Sequence, residues 1–262
     1  LRSNTTSAGS TNSDIFTSTS STGYTTGSIL GGATQSYVGW QFKKQKKFFD
    51  VVTYSGNGAN RTIAHSLGGP VGFMAVKRLS STGAFTTFHT SLGGTKFMEM
   101  HSTYQQQSSI NQWNNTAPTD AVFSLGVDSA VNASGHTYVA YLFADNTAEE
   151  AEEQMIKCGS FTGNATVTLG WEPQWLLIKE SGGADNWRIY DSMRGIVSDA
   201  SDALLSPNLS NAETAGNLLK LNPTGFTVVG AGGLSNYIYM AIRAPMMVEP
   251  EAATDVYSAV NY

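Results

Sequence analysis

The chain alternates short apolar runs with turn-forming clusters, and no helical period is sustained anywhere along it. Runs rich in β-branched and aromatic residues at Phe49–Tyr54, Gly72–Arg78, Ala84–His89, Ala121–Leu125 and Thr137–Phe143 read as strands. Turn residues separate them at Ser55-Gly56-Asn57-Gly58, Gly68-Gly69-Pro70, Ser80-Ser81-Thr82-Gly83 and Asn132-Ala133-Ser134-Gly135. The first of these reads as a hairpin turn, because Asn and Gly accept positive φ at little cost. A second series follows at Met155–Phe161, Trp175–Glu180, Trp187–Tyr190, Gly225–Val229 and Tyr237–Ile242. The pattern predicts an all-β chain of tandem antiparallel β-sandwich modules, jelly-roll or concanavalin-like, joined by short linkers. Phe49, Val76, Phe88, Phe123, Tyr138 and Leu142 should face one interior, with Ile178, Tyr190, Phe226 and Tyr237 in the other. The stretches Thr95–Thr116 and Ile196–Leu219 are the least regular. Each is expected to hold a short helix or a long loop, with some helical spacing over Ser198–Leu205.

The two series are copies of one another. Tyr37-Val38-Gly39-Trp40-Gln41-Phe42, Tyr138-Val139-Ala140-Tyr141-Leu142-Phe143 and Tyr237-Ile238-Tyr239-Met240-Ala241-Ile242 share one pattern, and their first residues lie 101 and 99 positions apart. Upstream of each hexamer sits an aromatic–hydroxyl pair: Tyr24-Thr25, Phe123-Ser124 and Phe226-Thr227. Ser55-Gly56-Asn57 matches Thr162-Gly163-Asn164, Pro70 matches Pro173, and Met74-Ala75-Val76-Lys77 matches Leu176-Leu177-Ile178-Lys179. Phe88 and Gly93 match Tyr190 and Gly195. Matches in this order mark a duplication. The chain divides on this reading into the C-terminal part of a preceding module (1–42), a module at 48–144, a second at 155–245, and the start of a following segment (246–262). The two full modules are expected to superpose, with Pro70 over Pro173 and Tyr138 over Tyr237.

Composition narrows the function. Only 13% of the 262 residues are charged, 11% are aromatic, 27 are Gly, and the net charge is −5. A helical bundle needs far more Ala, Glu, Lys and Leu, and a disordered chain lacks these aromatics. The mild acidity gives no electrostatic footprint for nucleic acid. No run approaches the ~20 apolar residues of a membrane-spanning helix, the nearest (Tyr237–Val248) being interrupted by Arg243 and Pro245, so membrane insertion is not expected. No basic region followed by an apolar core marks a signal peptide near Leu1. Cys158 is the single cysteine, which excludes an intrachain disulfide and a cysteine-based zinc site.

Little in the sequence has the spacing of a reactive site. His65, His89, His101 and His136 show no metal-ligand spacing, and surface or capping roles are expected for them. Glu99, Glu172, Glu180 and Asp191 are not paired by the repeat as a glycosidase would need. The Ser-Gly pairs form no nucleophile elbow, no phosphate loop is present, and no cofactor is implied. Triplets such as Asn60-Arg61-Thr62 and Asn132-Ala133-Ser134 are expected by chance in a chain this rich in Ser and Thr.

Two features suggest binding. Tyr104, Gln106, Trp113, Asn114 and Asn115 belong to an uncharged loop of aromatic and carboxamide side chains. A flat ring plus amide hydrogen bonds suits a glycan, unless Trp113 simply anchors the loop to its own sandwich. The segments after the first two hexamers carry opposite charge: Lys43, Lys44, Lys46 and Lys47 in one, Glu149, Glu150, Glu152 and Glu153 in the other. They are solvated connectors, or they are contacts between adjacent chains that fix register. Thr147-Ala148-Glu149-Glu150 fits a capping box opening a short helix.

The string Asn114-Asn115-Thr116-Ala117-Pro118-Thr119-Asp120-Ala121-Val122-Phe123-Ser124-Leu125-Gly126, with Asn132–Ala144 after it, resembles tandem repeats of about 100 residues in virion proteins of tailed bacteriophages. Phe161–Asn164, Pro173–Lys179 and Asn186–Asp191 fit the same pattern. Such repeats are familiar from phages of marine bacteria, in tail fibres and other appendages. The resemblance spans nearly the whole chain and implies a structural, non-enzymatic virion protein used in host attachment. It further implies a symmetric homo-oligomer, most often a trimer, with copies of itself, neighbouring virion proteins and a host-surface glycan as partners. It brings no catalytic motif. The readings from other classes are a carbohydrate-binding module of a secreted or surface protein and a glycan-degrading tailspike domain.

Overall fold

A computed structural model describes residues 1–10, 15–20, 23–28, 36–196, 202–231 and 235–245. The segment 246–262 read as the start of a following unit lies outside these described residues.

Short strands β1 (Phe16–Thr19) and β2 (Tyr24–Thr26) form an exposed hairpin. The first repeat holds β3 (Phe49–Ser55), β4 (Arg61–Ala64), β5 (Val71–Arg78), β6 (Phe85–His89), β7 (Lys96–Glu99), β8 (Gln107–Ser108), β9 (Val122–Leu125) and β10 (Thr137–Ala144), with one-turn helices α1 (Ile110–Trp113) and α2 (Ser129–Asn132). The second holds β11 (Ile156–Thr162), β12 (Thr166–Thr168), β13 (Pro173–Glu180), β14 (Arg188–Asp191), β15 (Asp202–Leu204), β16 (Thr214–Gly216), β17 (Leu219–Asn222), β18 (Gly225–Val228) and β19 (Asn236–Arg243). The fold is an all-β sandwich with antiparallel pairing throughout.

One strand order recurs. The large sheet of the first repeat runs β3-β10-β5-β6-β7-β8 and is covered by β4-β9; that of the second runs β11-β19-β13-β14 and is covered by β12-β18-β17. All ten residues expected inside are buried. Aromatic stacking repeats as well: Tyr54 on Tyr138 at 5.2 Å, Phe161 on Tyr237 at 5.0 Å.

The central strands are buried on both faces, which two separate sandwiches would not produce. Successive side chains of a strand point to opposite faces. In β13 and β19, Leu176, Ile178, Tyr237, Tyr239 and Ala241 join the core beneath β18. Their neighbours Trp175, Leu177, Ile238, Met240 and Ile242 join the core of the first repeat. On the facing sheet, Phe73 meets Trp187 edge-on at 6.3 Å. Approach is close enough that a Cβ on Gly72 would stand 2.6 Å from Cys158 Sγ. The two large sheets therefore lie face to face, giving four layers in which the core of the first repeat continues into the space between the large sheets and a second core lies beneath β18.

Several local expectations change. Residues 37–42 form no strand, because a lone strand without neighbours has no ladder to join; their Trp40 and Phe42 instead serve as side-chain anchors. Ser55–Gly58 does not close a hairpin, since β3 and β4 belong to different sheets. It turns a corner held by buried Asn132, whose Oδ1 accepts from Asn57 N (3.1 Å) and whose Nδ2 donates to Ala59 O (2.7 Å). Thr95–Thr116 contains β7, β8 and α1, and Ile196–Leu219 contains β15 and β16. Within Ser198–Leu205, residues 198–201 lie outside the described residues and the remainder is strand rather than helix. The capping box is not made; Asp145 Oδ1 accepts from Thr147 N, and only a single 3₁₀ turn follows at Ala151–Glu153.

Candidate functional site

The glycan loop loses its aromatic platform. Trp113 is 1% exposed; its ring meets Phe88 edge-on at 6.3 Å and its Nε1 donates to Lys96 O at 3.1 Å. The helix that carries it is capped by Ser109, whose side chain accepts from Asn111 N, and it ends at Asn114 in the left-handed region. Asn114 and Asn115 both take positive φ, and Asn114 Oδ1 accepts from Asn60 Nδ2 at 2.9 Å. Tyr104 stays exposed, and the backbone N–H of Gln106 donates to Ser181 O of the second repeat.

The charged segments meet within one chain. Lys47 Nζ lies 2.8 Å from Glu149 Oε2 and 3.4 Å from Glu153 Oε2. The Glu149 hydrogen bond holds the Lys47 ammonium above its ordinary pKa, and Lys47 in turn holds the Glu149 carboxyl below its own. Lys44 pairs with buried Asp50 at 2.6 Å. Burial pushes the Asp50 carboxyl up, but Lys44 and the amides of Ser66 and Val51 outweigh it and leave it lowered. These attractions are satisfied in cis. Nothing in them brings Lys43, Lys46, Glu150 or Glu152 to a second chain.

His89 is no surface residue. It is 2% exposed, and its Nε2 lies 2.9 Å from Tyr239 O on the opposing sheet while Nδ1 accepts from Ser91 N at 3.1 Å. These contacts fit the neutral tautomer protonated at Nε2. Burial lowers its pKa to about 4. In the second repeat the matching position is Asp191, also buried. It accepts from Trp40 Nε1 at 3.1 Å and pairs with Arg194 at 2.7 Å. Arg194 in turn lies over the Trp40 ring, 5.5 Å from its centroid. Trp40 and Phe42 also meet Trp175, at 6.4 and 6.1 Å. The N-terminal segment thus lines a groove of about 410 Å³ between the large sheets, together with Phe73, Tyr141 and Met240.

The most regular arrangement is a joint that occurs twice. Lys77 and Lys179 occupy matching positions near the ends of β5 and β13, and both are fully buried. Lys77 Nζ donates to Thr5 O (3.1 Å) and Gly83 O (2.6 Å). Lys179 Nζ donates to Thr103 O (3.3 Å) and Glu180 O (2.6 Å). Burial lowers both ammonium groups, Lys179 to about 8.

Beside each lysine runs a matching backbone exchange. On the β5–β6 hairpin, Gly83 N donates to Thr6 O and Gly9 N donates to Leu79 O, both at 2.8 Å. On the β13–β14 hairpin, Asp185 N donates to Thr103 O at 2.9 Å and Gln106 N donates to Ser181 O at 3.0 Å. Lys77, Leu79 and Gly83 have the spacing of Lys179, Ser181 and Asp185. Thr6 and Gly9 have the spacing of Thr103 and Gln106. Residues 5–9 are held by the first repeat just as the β7–β8 loop is held by the second. Because the insert contributes only carbonyls and an N–H, its side chains are free to vary.

Other polar groups serve the fold. Glu99 Oε2 lies 3.6 Å from His101 Nε2, and Glu99 O accepts from Trp187 Nε1 at 3.0 Å. His136 Nδ1 meets Ser80 Oγ at 2.9 Å, and His65 Nε2 meets Thr119 O at 3.2 Å. Among the described residues no group of three or more His, Cys, Asp or Glu could hold a metal ion. Among them, too, no helix is long and apolar enough to cross a membrane.

The family described as Domain of unknown function (DUF7483) matches residues 1–244. The chain belongs to this family. The DUF7483 match runs through the N-terminal segment and both repeats, the same stretch that the joints and the shared core tie together. No curated protein and no solved structure matches the chain.

Proposed function

We propose that this DUF7483 chain is a non-enzymatic structural protein of a tailed-phage virion, a tail fibre or other appendage used in host attachment. The observation that carries this reading is the recurring joint. The same two backbone hydrogen bonds tie Thr6–Gly9 to the first repeat and Thr103–Gln106 to the second, and in each a buried lysine donates to a carbonyl of the inserted segment, Thr5 O or Thr103 O. A joint that uses the backbone of its insert can couple successive copies of a slowly diverging repeat, which suits a stiff appendage. The polar, lightly charged outer strands β4, β12 and β17 suit it too. Copies of itself, neighbouring virion proteins and a host-surface glycan are the partners on this reading.

The carbohydrate-binding reading stands second, because Trp113 is committed to the core and leaves Tyr104 as the one exposed ring of its loop. Gold-labelled antibody against the purified chain, applied to tailed-phage particles released from cells carrying the gene, tests the proposal. Label on an external appendage is expected. Particles free of label, with the protein recovered only from the cell fraction, would contradict it.

A further inference from the structure

The joint has two filled members and a third element of the same design. The β7–β8 loop supplies Thr103 O and Gln106 N, and Gln106 immediately precedes β8. In the second repeat β15 and β16 pair as β7 and β8 do, and the loop between them spans 205–213. Glu213 immediately precedes β16, so Ser210 and Glu213 stand where Thr103 and Gln106 stand. Residues 209–215 are exposed, and among the described residues 210–213 make no backbone hydrogen bond. Residues 1–10 border this loop: Ser3 Oγ donates to Pro207 O at 2.5 Å while Thr6 and Gly9 fill the β5–β6 hairpin.

We propose that the β15–β16 loop is the docking element for a second copy of this chain, received by that copy's β5–β6 hairpin in place of its own residues 5–9. Continuity with the joint already made inside the chain carries the assignment. The receiving residues Lys77, Leu79 and Gly83 have the spacing that grips the β7–β8 loop in cis. The exchange conserves bonds, since Ser210 O takes the places of Thr5 O and Thr6 O as Thr103 O does, and Glu213 N takes the place of Gly9 N. The displaced segment is mostly exposed, and such segments open at low cost. Its release uncovers the hairpin and the border of the loop together. The proposal rests on the reading of the chain as an assembly component.

Sedimentation velocity of the full chain across a hundredfold concentration range tests it, with two substitutions. Gly9→Pro removes the N–H donated to Leu79 O and favours the open hairpin, so self-association should begin at about tenfold lower concentration than in the wild type. Adding Glu213→Pro removes the N–H the docking loop would donate, and should return the protein to wild-type behaviour or weaker. A Gly9→Pro chain no more associated than the wild type overturns the proposal, as does association that Glu213→Pro leaves intact. Hydrogen exchange on the unsubstituted chain keeps the test independent of the variants' folding. The Glu213 amide should gain protection as concentration rises, and unchanged exchange there overturns the proposal. Either failure would leave the virion location untouched, because particle labelling reads that separately.

Discussion

His89 Nε2 donates to the carbonyl oxygen of Tyr239 across 2.9 Å, joining the large sheet of one repeat to that of the other. Nδ1 accepts at the same time from Ser91 N, so the two bonds together need a neutral imidazole; a second ring proton at Nδ1 would face the N–H of Ser91. Burial holds the folded pKa near 4, below the 6.5 of the exposed side chain. Between those values the unfolded chain binds a proton that the folded chain does not, so stability is full above about pH 6.5 and falls as pH drops toward 4. His65 and His101 are also lowered by burial and act in the same direction. Urea midpoints should fall over this window, with His89 contributing up to about 3 kcal/mol. His89→Gln keeps a donor and an acceptor without the titration and should flatten that limb.

Trp40 ties the N-terminal segment to the second repeat through the Asp191 hydrogen bond, the Arg194 stacking and the Trp175 edge contact. Trp40→Ala should cost about 3 kcal/mol in urea unfolding. It should also raise hydrogen exchange at Arg194, whose amide donates to Asp191 Oδ1 at 3.0 Å.

Trp113 and Tyr104 separate packing from surface. Trp113→Ala should cost about 3–5 kcal/mol, and Tyr104→Ala should stay within about 0.5 kcal/mol of the unsubstituted protein. A Trp113→Ala chain of undiminished stability would show the loop to be independent of the core.

The seven strands of five or more residues were legible as strands, together with β9, β14 and β18, because β-branched and aromatic runs bounded by Gly, Asn, Ser and Pro allow little else. The short strands β4, β12, β15 and β16 carry no such run; Arg61–Ala64 and Thr214–Gly216 pair because tertiary context supplies a neighbour. The stacking of the two large sheets left a signal that alternation alone does not weigh. Tyr138–Phe143, Leu176–Lys179 and Tyr237–Ile242 are apolar almost without interruption, as strands covered on both faces must be. Matching Lys77 with Lys179 was possible from the repeat, but their burial depends on carbonyls delivered from distant segments, Thr5 and Thr103. The Trp113 loop misleads for a local reason: Asn111 and Asn115 face water while Trp113 turns inward with Gln112 from a four-residue helix.

Gly72 packs directly against Cys158 of the second repeat. Gly72→Ala places a methyl against Cys158 Sγ and 2.9 Å from Ala144 O, and should destabilise the whole chain by about 1–3 kcal/mol. Both repeats should lose the same increment in a denaturant titration, because their sheets share the strained contact.

Cys158, the single thiol, is buried at that same contact, and burial pushes its pKa well up. Its labelling therefore reads directly whether the two repeats form one four-layer body. Thiol labelling should be followed across a urea series below the unfolding transition. If the two repeats do form one body, the thiol should label with the free energy and the urea dependence of global unfolding followed by circular dichroism. Labelling at several kcal/mol below the global value, with the strand signal intact, would mean that the sheets part while each repeat stays folded, and would contradict the single four-layer body.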